Sequence, residues 1–209
     1  MNLLPVVEFA PTYYQNQTKH HEMPDCKGQD CRDEWDTYWK NSLADSGIIG
    51  LEPYEKGSWL VETEKLLDYN QALKLMLSKH LSNTDLESTK DVKEYFTALP
   101  GGYVLEINQK IRVCPECCGS LQDIHEWKIA SEYVKSEEEM LWIGHPWLMV
   151  SAIDEGHLRL RRTAGYGEPE EPVIFDLKIS DLKSAIADAE EKLSKFERVL
   201  LPILRSLFI

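Results

Sequence analysis

The most regular stretch of hydrophobic and polar positions lies at the end of the chain. Leu182, Ile186, Ala189, Leu193, Phe196, Leu200, Ile203 and Leu207 are spaced alternately by four and three, with Asp, Glu and Lys between them. A seven-residue apolar repeat of this kind predicts one long amphipathic helix, with Ser180 as its N-cap. The stripe is expected to lie on a sheet of the same chain. Its distal part, past Pro202, could instead pack on a second copy as a homodimer. Pro202 should kink the helix and hamper a continuous coiled coil.

Upstream, helical spacing predicts a helix over 32–45 through Trp35, Tyr38, Trp39 and Leu43, ended by Gly47. A second helix is predicted over 62–82 (Leu66, Tyr69, Leu73, Met76, Leu77, His80) and a third over 89–98, stopped by "PGG" at 100–102. The pattern then changes to period two. "YVLEINQKIRV" (103–113) reads as a strand pair or one bent strand, and "LQDIHEWKIASEYV" as a loop with a short helix. "EMLWIGHPWLMVSAID" and "EGHLRLRR" read as a hairpin turned at "DEG" (154–156), "AGYGEPEEP" as an acidic loop, and "VIFDLKI" as a further strand. Near the start, "VVEF" could be a short edge strand, within an irregular segment over 1–30. Helices first, then an antiparallel sheet, then a long helix make an α+β fold. With no repeat and no linker, the expectation is a single domain over 1–209.

Composition narrows the function classes. The chain is 43% hydrophobic and carries 36 acidic against 23 basic residues, a formal charge of −13. That is a folded globular composition, and its sign repels nucleic-acid phosphates and anionic membranes while attracting a basic protein partner. The apolar start "MNLLPVVEFAPTYY" lacks a basic region and is broken by Pro5, Glu8 and Pro11, unlike a signal peptide. No stretch approaches the ~18 uncharged apolar residues of a spanning helix. A cytoplasmic protein is expected, with its five cysteines reduced.

Three of those cysteines, Cys114, Cys117 and Cys118, stand in "RVCPECCGSL" (112–121). "CPEC" approaches a zinc knuckle, in which two thiolates hold the metal and backbone N–H groups of the turn face the sulfurs. Tetrahedral zinc needs four ligands. The only second pair is Cys26 and Cys31, spaced C-x4-C, with His20, His21 and His125 as spare donors. Zinc on Cys26, Cys31, Cys114 and Cys117 is therefore arithmetically available, but Cys118 displaces the glycine expected after the second cysteine. No stoichiometric zinc or other cofactor is expected. A nucleophilic thiol needs a cation or a paired base; Cys117 or Cys118 with His125 is the candidate, among unfavourable neighbours Glu116, Asp123 and Glu126. The reading preferred on packing grounds is that one or two of these cysteines fill a strand end as small hydrophobes. In an extended chain Cys117 and Cys118 point opposite ways, so at least one should be buried.

Elsewhere, "HLRLRR" places Arg159 and Arg161 on one face of a strand and Leu158 and Leu160 on the other. The arginines are expected to pair with internal acids at the surface. His145 in "GHPWL" is expected to be structural. Six tryptophans (35, 39, 59, 127, 142, 147) supply core and, where exposed, interface anchors. No phosphate-binding loop, dinucleotide fingerprint, nucleophile elbow or H-E-x-x-H motif is present in the sequence.

"LWIG" at 141–144, the hairpin through "HLRLRR", the strand "VIFDL" at 173–177 and the closing helix from "SDLKSAI" follow one another in an order that resembles the superfamily of fungal cell-wall-synthesis regulators. Bacteria use that superfamily widely as immunity proteins against polymorphic toxins. The resemblance covers the last third of the chain, and "CPECCGSLQDIHEW" lies outside it. It implies a non-enzymatic protein that binds and neutralises another protein, with no catalytic residues to carry over. The expected function is thus an acidic protein-binding module of immunity type. The competing expectation is an enzyme or zinc-dependent module centred on Cys114–Cys118.

Overall fold

A computed structural model describes residues 1–16, 21–26, 31–82, 96–163 and 173–207. Among these residues it shows an α+β fold with four α-helices and two antiparallel sheets. The chain gathers into two compact units, Met1–Pro5 with Thr97–Ser194, and Val6–Phe96 with Lys195–Ile209.

In the second unit, the end of strand β1 (Asn2–Glu8) pairs antiparallel with β2 (Leu60–Glu62), setting Val6 against Glu62 and Val7 against Val61. Helix α1 (Arg32–Asp45) buries Tyr38, Trp39 and Leu43, as its spacing predicts. The Trp39 indole N–H donates to the Phe9 carbonyl at 2.8 Å, which satisfies a polar atom that the buried ring would otherwise strand. Gly47, at φ +79°, closes the helix in the left-handed conformation that glycine adopts without cost. The helix expected over 62–82 is shorter: α2 covers Asn70–Ser82. Leu60–Glu62 is held in the ladder to β1, a 3-10 turn spans Lys65–Asp68, and Tyr69 at φ −107°, ψ 56° breaks the path between that turn and α2. Leu66, Leu73, Met76 and Leu77 are nonetheless buried. Of the helix expected over 89–98, residues 89–95 lie outside the described residues.

In the first unit, β3 (Gly101–Ile107) stands next to β1 in the sheet order and pairs with β4 (Lys110–Val113). In the sheet order β2-β1-β3-β4, β1 has a neighbour on each side and is not an edge strand. The β3–β4 connection is Asn108–Gln109, both at positive φ (52° and 62°), the primed turn that matches strand twist. A 3-10 turn (Leu121–Asp123) leads into α3 (Ile124–Ser131). Ser120 and Asp123 form a capping box there, the Asp123 carboxylate accepting the Ser120 N–H at 2.8 Å.

The segment expected as one arm of a hairpin divides into two strands. β5 (Glu139–Leu141) and β6 (Leu148–Asp154) pair with each other, and β7 (His157–Arg162) and β8 (Val173–Lys178) complete an antiparallel sheet in the order β5-β6-β7-β8. The turn at 154–156 stands as expected, with Asp154 accepting the Gly156 N–H at 2.7 Å. Leu158 and Leu160 are fully buried, while Arg159 points outward onto Asp176 through two bonds of 2.8 and 2.9 Å and Arg161 onto Glu138. The acidic loop read over 164–172 lies outside the described residues.

Helix α4 (Ile179–Ser206) follows β8 directly and runs through Pro202. Ser180 therefore sits in its first turn and does not precede it as a cap. In the first unit Leu182, Ala185, Ile186 and Ala189 join Leu148, Val150, Leu158, Leu160 and Phe175 in one core with Trp127 and Tyr103. In the second unit Phe196, Leu200 and Leu204 are buried, and Phe196 meets Phe96 with ring centroids 5.8 Å apart. Leu204 takes the place that strict heptad spacing assigns to Ile203, as the drift of a 3.6-residue helix requires.

Candidate functional site

The thiol loop of the first unit, residues 114–120, is pinned by its backbone. Gly101 donates to the Gly119 carbonyl (3.1 Å), Glu116 to that of His145 (2.9 Å), and His145 to that of Cys117 (2.9 Å). The loop thereby docks against the β5–β6 connection, where "GHPW" stands. In a zinc knuckle the amides of the turn face sulfur; here the Glu116 N–H is committed to His145. Two glycines permit the approach. A side chain on Gly144, at φ +76°, would place Cβ 2.5 Å from the Cys117 carbonyl oxygen and 2.6 Å from the Gly119 nitrogen. One on Gly119 would stand 2.6 Å from the Gly101 carbonyl oxygen.

This docking brings an imidazole to the thiols. Cys117 Sγ lies 3.1 Å from His145 Nδ1, and Cys117, Cys118 and His145 form one group whose donor atoms all fall within 4.8 Å of one another. The His145 ring stacks on Trp147 with centroids 4.8 Å apart. Glu116 reaches Arg162 at 3.3 Å. Cys114 is half-buried, Cys117 and Cys118 are exposed, and none of the three is in a disulfide. The expectation that at least one of the adjacent pair is buried does not hold, and neither Cys117 nor Cys118 serves as a core hydrophobe. The reason is Cys118, whose φ of +63° is left-handed, not extended, so alternation fails and the two thiols are not sent to opposite faces.

His125 is exposed on α3 and is not in the thiol group. Cys26 and Cys31, in the second unit, are joined as a disulfide with Cα atoms 5.9 Å apart, which corrects the expectation of five reduced thiols. That separation lies within the range a disulfide bridges. While bonded, the pair supplies no thiolates to a set with Cys114 and Cys117. His21 Nε2 contacts the Asp45 carboxylate at 2.9 Å, and His20 lies outside the described residues. His145, read from sequence as structural, is the ring that meets the thiols; a His twenty-eight residues downstream of Cys117 gives no local signal.

Beside α3 the same unit displays apolar side chains. Trp142 is 70% exposed, Val134 82% and Ile129 53%. The Trp142 backbone N–H donates to the Glu126 carboxylate at 3.1 Å, and Ile129 stands one helical turn from Glu126 on the same face. Over 124–142 five glutamates (126, 132, 137, 138, 139) face two lysines, Lys128 and Lys135. Lys128 pairs with Glu190 and Lys135 with Glu139. Partial burial raises the Asp123 carboxyl above its ordinary range, opposed by the Ser120 hydrogen bonds. No helix among the described residues is long and apolar enough to cross a membrane.

No protein-family model matches the chain, and no curated protein or solved structure matches it either.

Proposed function

We propose that the protein is a non-enzymatic binding module of immunity type that captures a basic protein through the acidic, aromatic surface around Trp142. The observation that carries this reading is the indole itself, 70% exposed and held at its backbone by Glu126. An exposed tryptophan fixed on a scaffold presents a large apolar face at little entropic cost, and such side chains dominate interface energetics. Glu126 beside it and the chain's net charge of −13 supply long-range attraction, so charge governs how fast a partner arrives and the indole governs how long it stays. A cytoplasmic location, in which the Cys26–Cys31 pair would be kept reduced, and a dimer through the distal part of α4 accompany the reading without being needed by it.

The test is co-expression with the proteins encoded beside this chain, followed by co-purification and kinetic measurement on the recovered pair. A basic partner is expected. Raising salt from about 0.05 to 0.5 M should slow association mainly. Trp142→Ala, at so exposed a position, should leave folding intact yet weaken binding about tenfold or more through faster dissociation. An association that ignores both salt and Trp142→Ala would sink the proposal, as would the recovery of no protein partner at all.

A further inference from the structure

We propose that Cys117, Cys118 and His145 bind a single zinc ion, leaving its fourth coordination position open to solvent. In tetrahedral zinc, with metal–sulfur bonds of about 2.3 Å and metal–nitrogen bonds of about 2.0–2.1 Å, adjacent donors stand roughly 3.5–3.8 Å apart. The three donor atoms of this group already lie within 4.8 Å of one another, and one sulfur–nitrogen separation is 3.1 Å. Completing the set asks each separation to change by no more than about 1.3 Å from what tetrahedral bond lengths require. Two thiolates and an imidazole are soft to borderline donors that select zinc over magnesium or calcium.

The backbone is arranged for this convergence. A cysteine at φ +63° occupies a region that non-glycine residues seldom enter, and such conformations gather where function fixes the chain. Gly119 immediately follows and could take that conformation at no cost, yet it is Cys118 that does. His145 is fixed against the thiol loop by reciprocal backbone bonds with Glu116 and Cys117, and its ring is held by Trp147. Orientation of the imidazole by its surroundings is what metal-binding histidines require. Because both cysteines are exposed, water can reach the metal, as in zinc sites that retain a position for a substrate or a solvent ligand. The second thiol group, Cys26 and Cys31 with Glu34, is closed by its disulfide. Cys114, despite its C-x2-C spacing to Cys117, does not belong to the set. The proposal is independent of the protein-binding reading.

The experiment uses the whole chain, reduced only as far as keeps Cys114, Cys117 and Cys118 as thiols, and stripped of metal. Zinc chloride is titrated by calorimetry, and cobalt chloride by absorption. One equivalent of each should bind. Cobalt should give a thiolate charge-transfer band with the intense visible absorption of a four-coordinate centre, and zinc should bleach it. Cys117→Ser, Cys118→Ser and His145→Gln should each weaken binding roughly a hundredfold or more, with circular dichroism confirming the fold. Cys114→Ser should bind as the wild type does. Zinc should also slow alkylation of Cys117 by iodoacetamide. The proposal is overturned if neither metal binds more tightly than to the Cys117→Ser/Cys118→Ser chain. It is equally overturned if Cys114→Ser abolishes binding while Cys118→Ser does not. Rapid alkylation of Cys117, slowed by His145→Gln and indifferent to zinc, would assign the pair to nucleophilic chemistry instead.

Discussion

Gly144→Ala tests the docking of the thiol loop at its tightest point. The new Cβ would lie 2.5 Å from the Cys117 carbonyl oxygen, 2.6 Å from the Gly119 nitrogen and 2.8 Å from the Cys118 carbonyl carbon. All three are backbone atoms, so no side chain can swing aside. Holding alanine at φ +76° costs about 1–2 kcal/mol by itself. Relieving the clash requires the loop to move off residue 145, which breaks the two reciprocal bonds between Glu116–Cys117 and His145, at a net ~1 kcal/mol each. The expected loss is therefore about 3–4 kcal/mol, read from urea denaturation followed by tryptophan fluorescence. Amide exchange at Glu116 and His145 should accelerate beyond what global unfolding explains. Gly156→Ala is the control, because its Cβ would meet only the Asp154 carboxylate at 3.6 Å, an ordinary contact. The reasoning is refuted if Gly144→Ala stays within about half a kcal/mol of wild type, the level of a neutral surface change. It also fails if Gly156→Ala costs as much.

Leu160→Ala, at a fully buried position of β7, should cost about 2–5 kcal/mol in chemical denaturation; a loss below about half a kcal/mol would show the strand register to be wrong. Trp39→Phe leaves the buried Phe9 carbonyl without its indole donor and should cost about 1–3 kcal/mol. A stability equal to wild type would mean that another donor replaces it. Asp123→Asn probes pH dependence. Burial raises this carboxyl in the folded chain above the 3.8 it has without that burial, so the unfolded state releases its proton first and stability falls as pH rises from about 3.8 through the folded value. The melting temperature of Asp123→Asn relative to wild type should climb across that window and stay level above it. A difference that shrinks with rising pH would reverse the assigned cause.

What the chain discloses and what it conceals divide along physical lines. Leu158–Arg161 could be read because alternation fixes faces once a strand is granted, and the α4 stripe because its spacing persists over many turns. Both signals are local. The helix expected from 62 failed at its start because Leu60–Glu62 has a partner in β1, and no local pattern announces a ladder to residues more than fifty positions away. The thiol site was half legible. The cysteines were conspicuous, but their common exposure depends on one left-handed residue, Cys118. Their imidazole arrives from a separate connection, brought by the fit of Gly144 against the loop. Trp142 and Trp127 are alike in sequence and opposite in fate, since their burial depends on packing that spacing alone does not specify.

The division of the chain bears on how it can be made. The first unit takes Met1–Pro5 and Thr97–Ser194, and the second takes Val6–Phe96 and Lys195–Ile209, so each is assembled from two separated stretches. During vectorial synthesis the usual order, in which an early domain closes before a later one emerges, is denied to this protein. Val6–Phe96 shares its unit with Lys195–Ile209, so that core is complete only once Phe196, Leu200 and Leu204 have been made. A nascent chain stalled before Lys195 should remain protease-sensitive through α1 and α2, although every residue of those helices has long been translated. No single scission separates the two units as whole pieces.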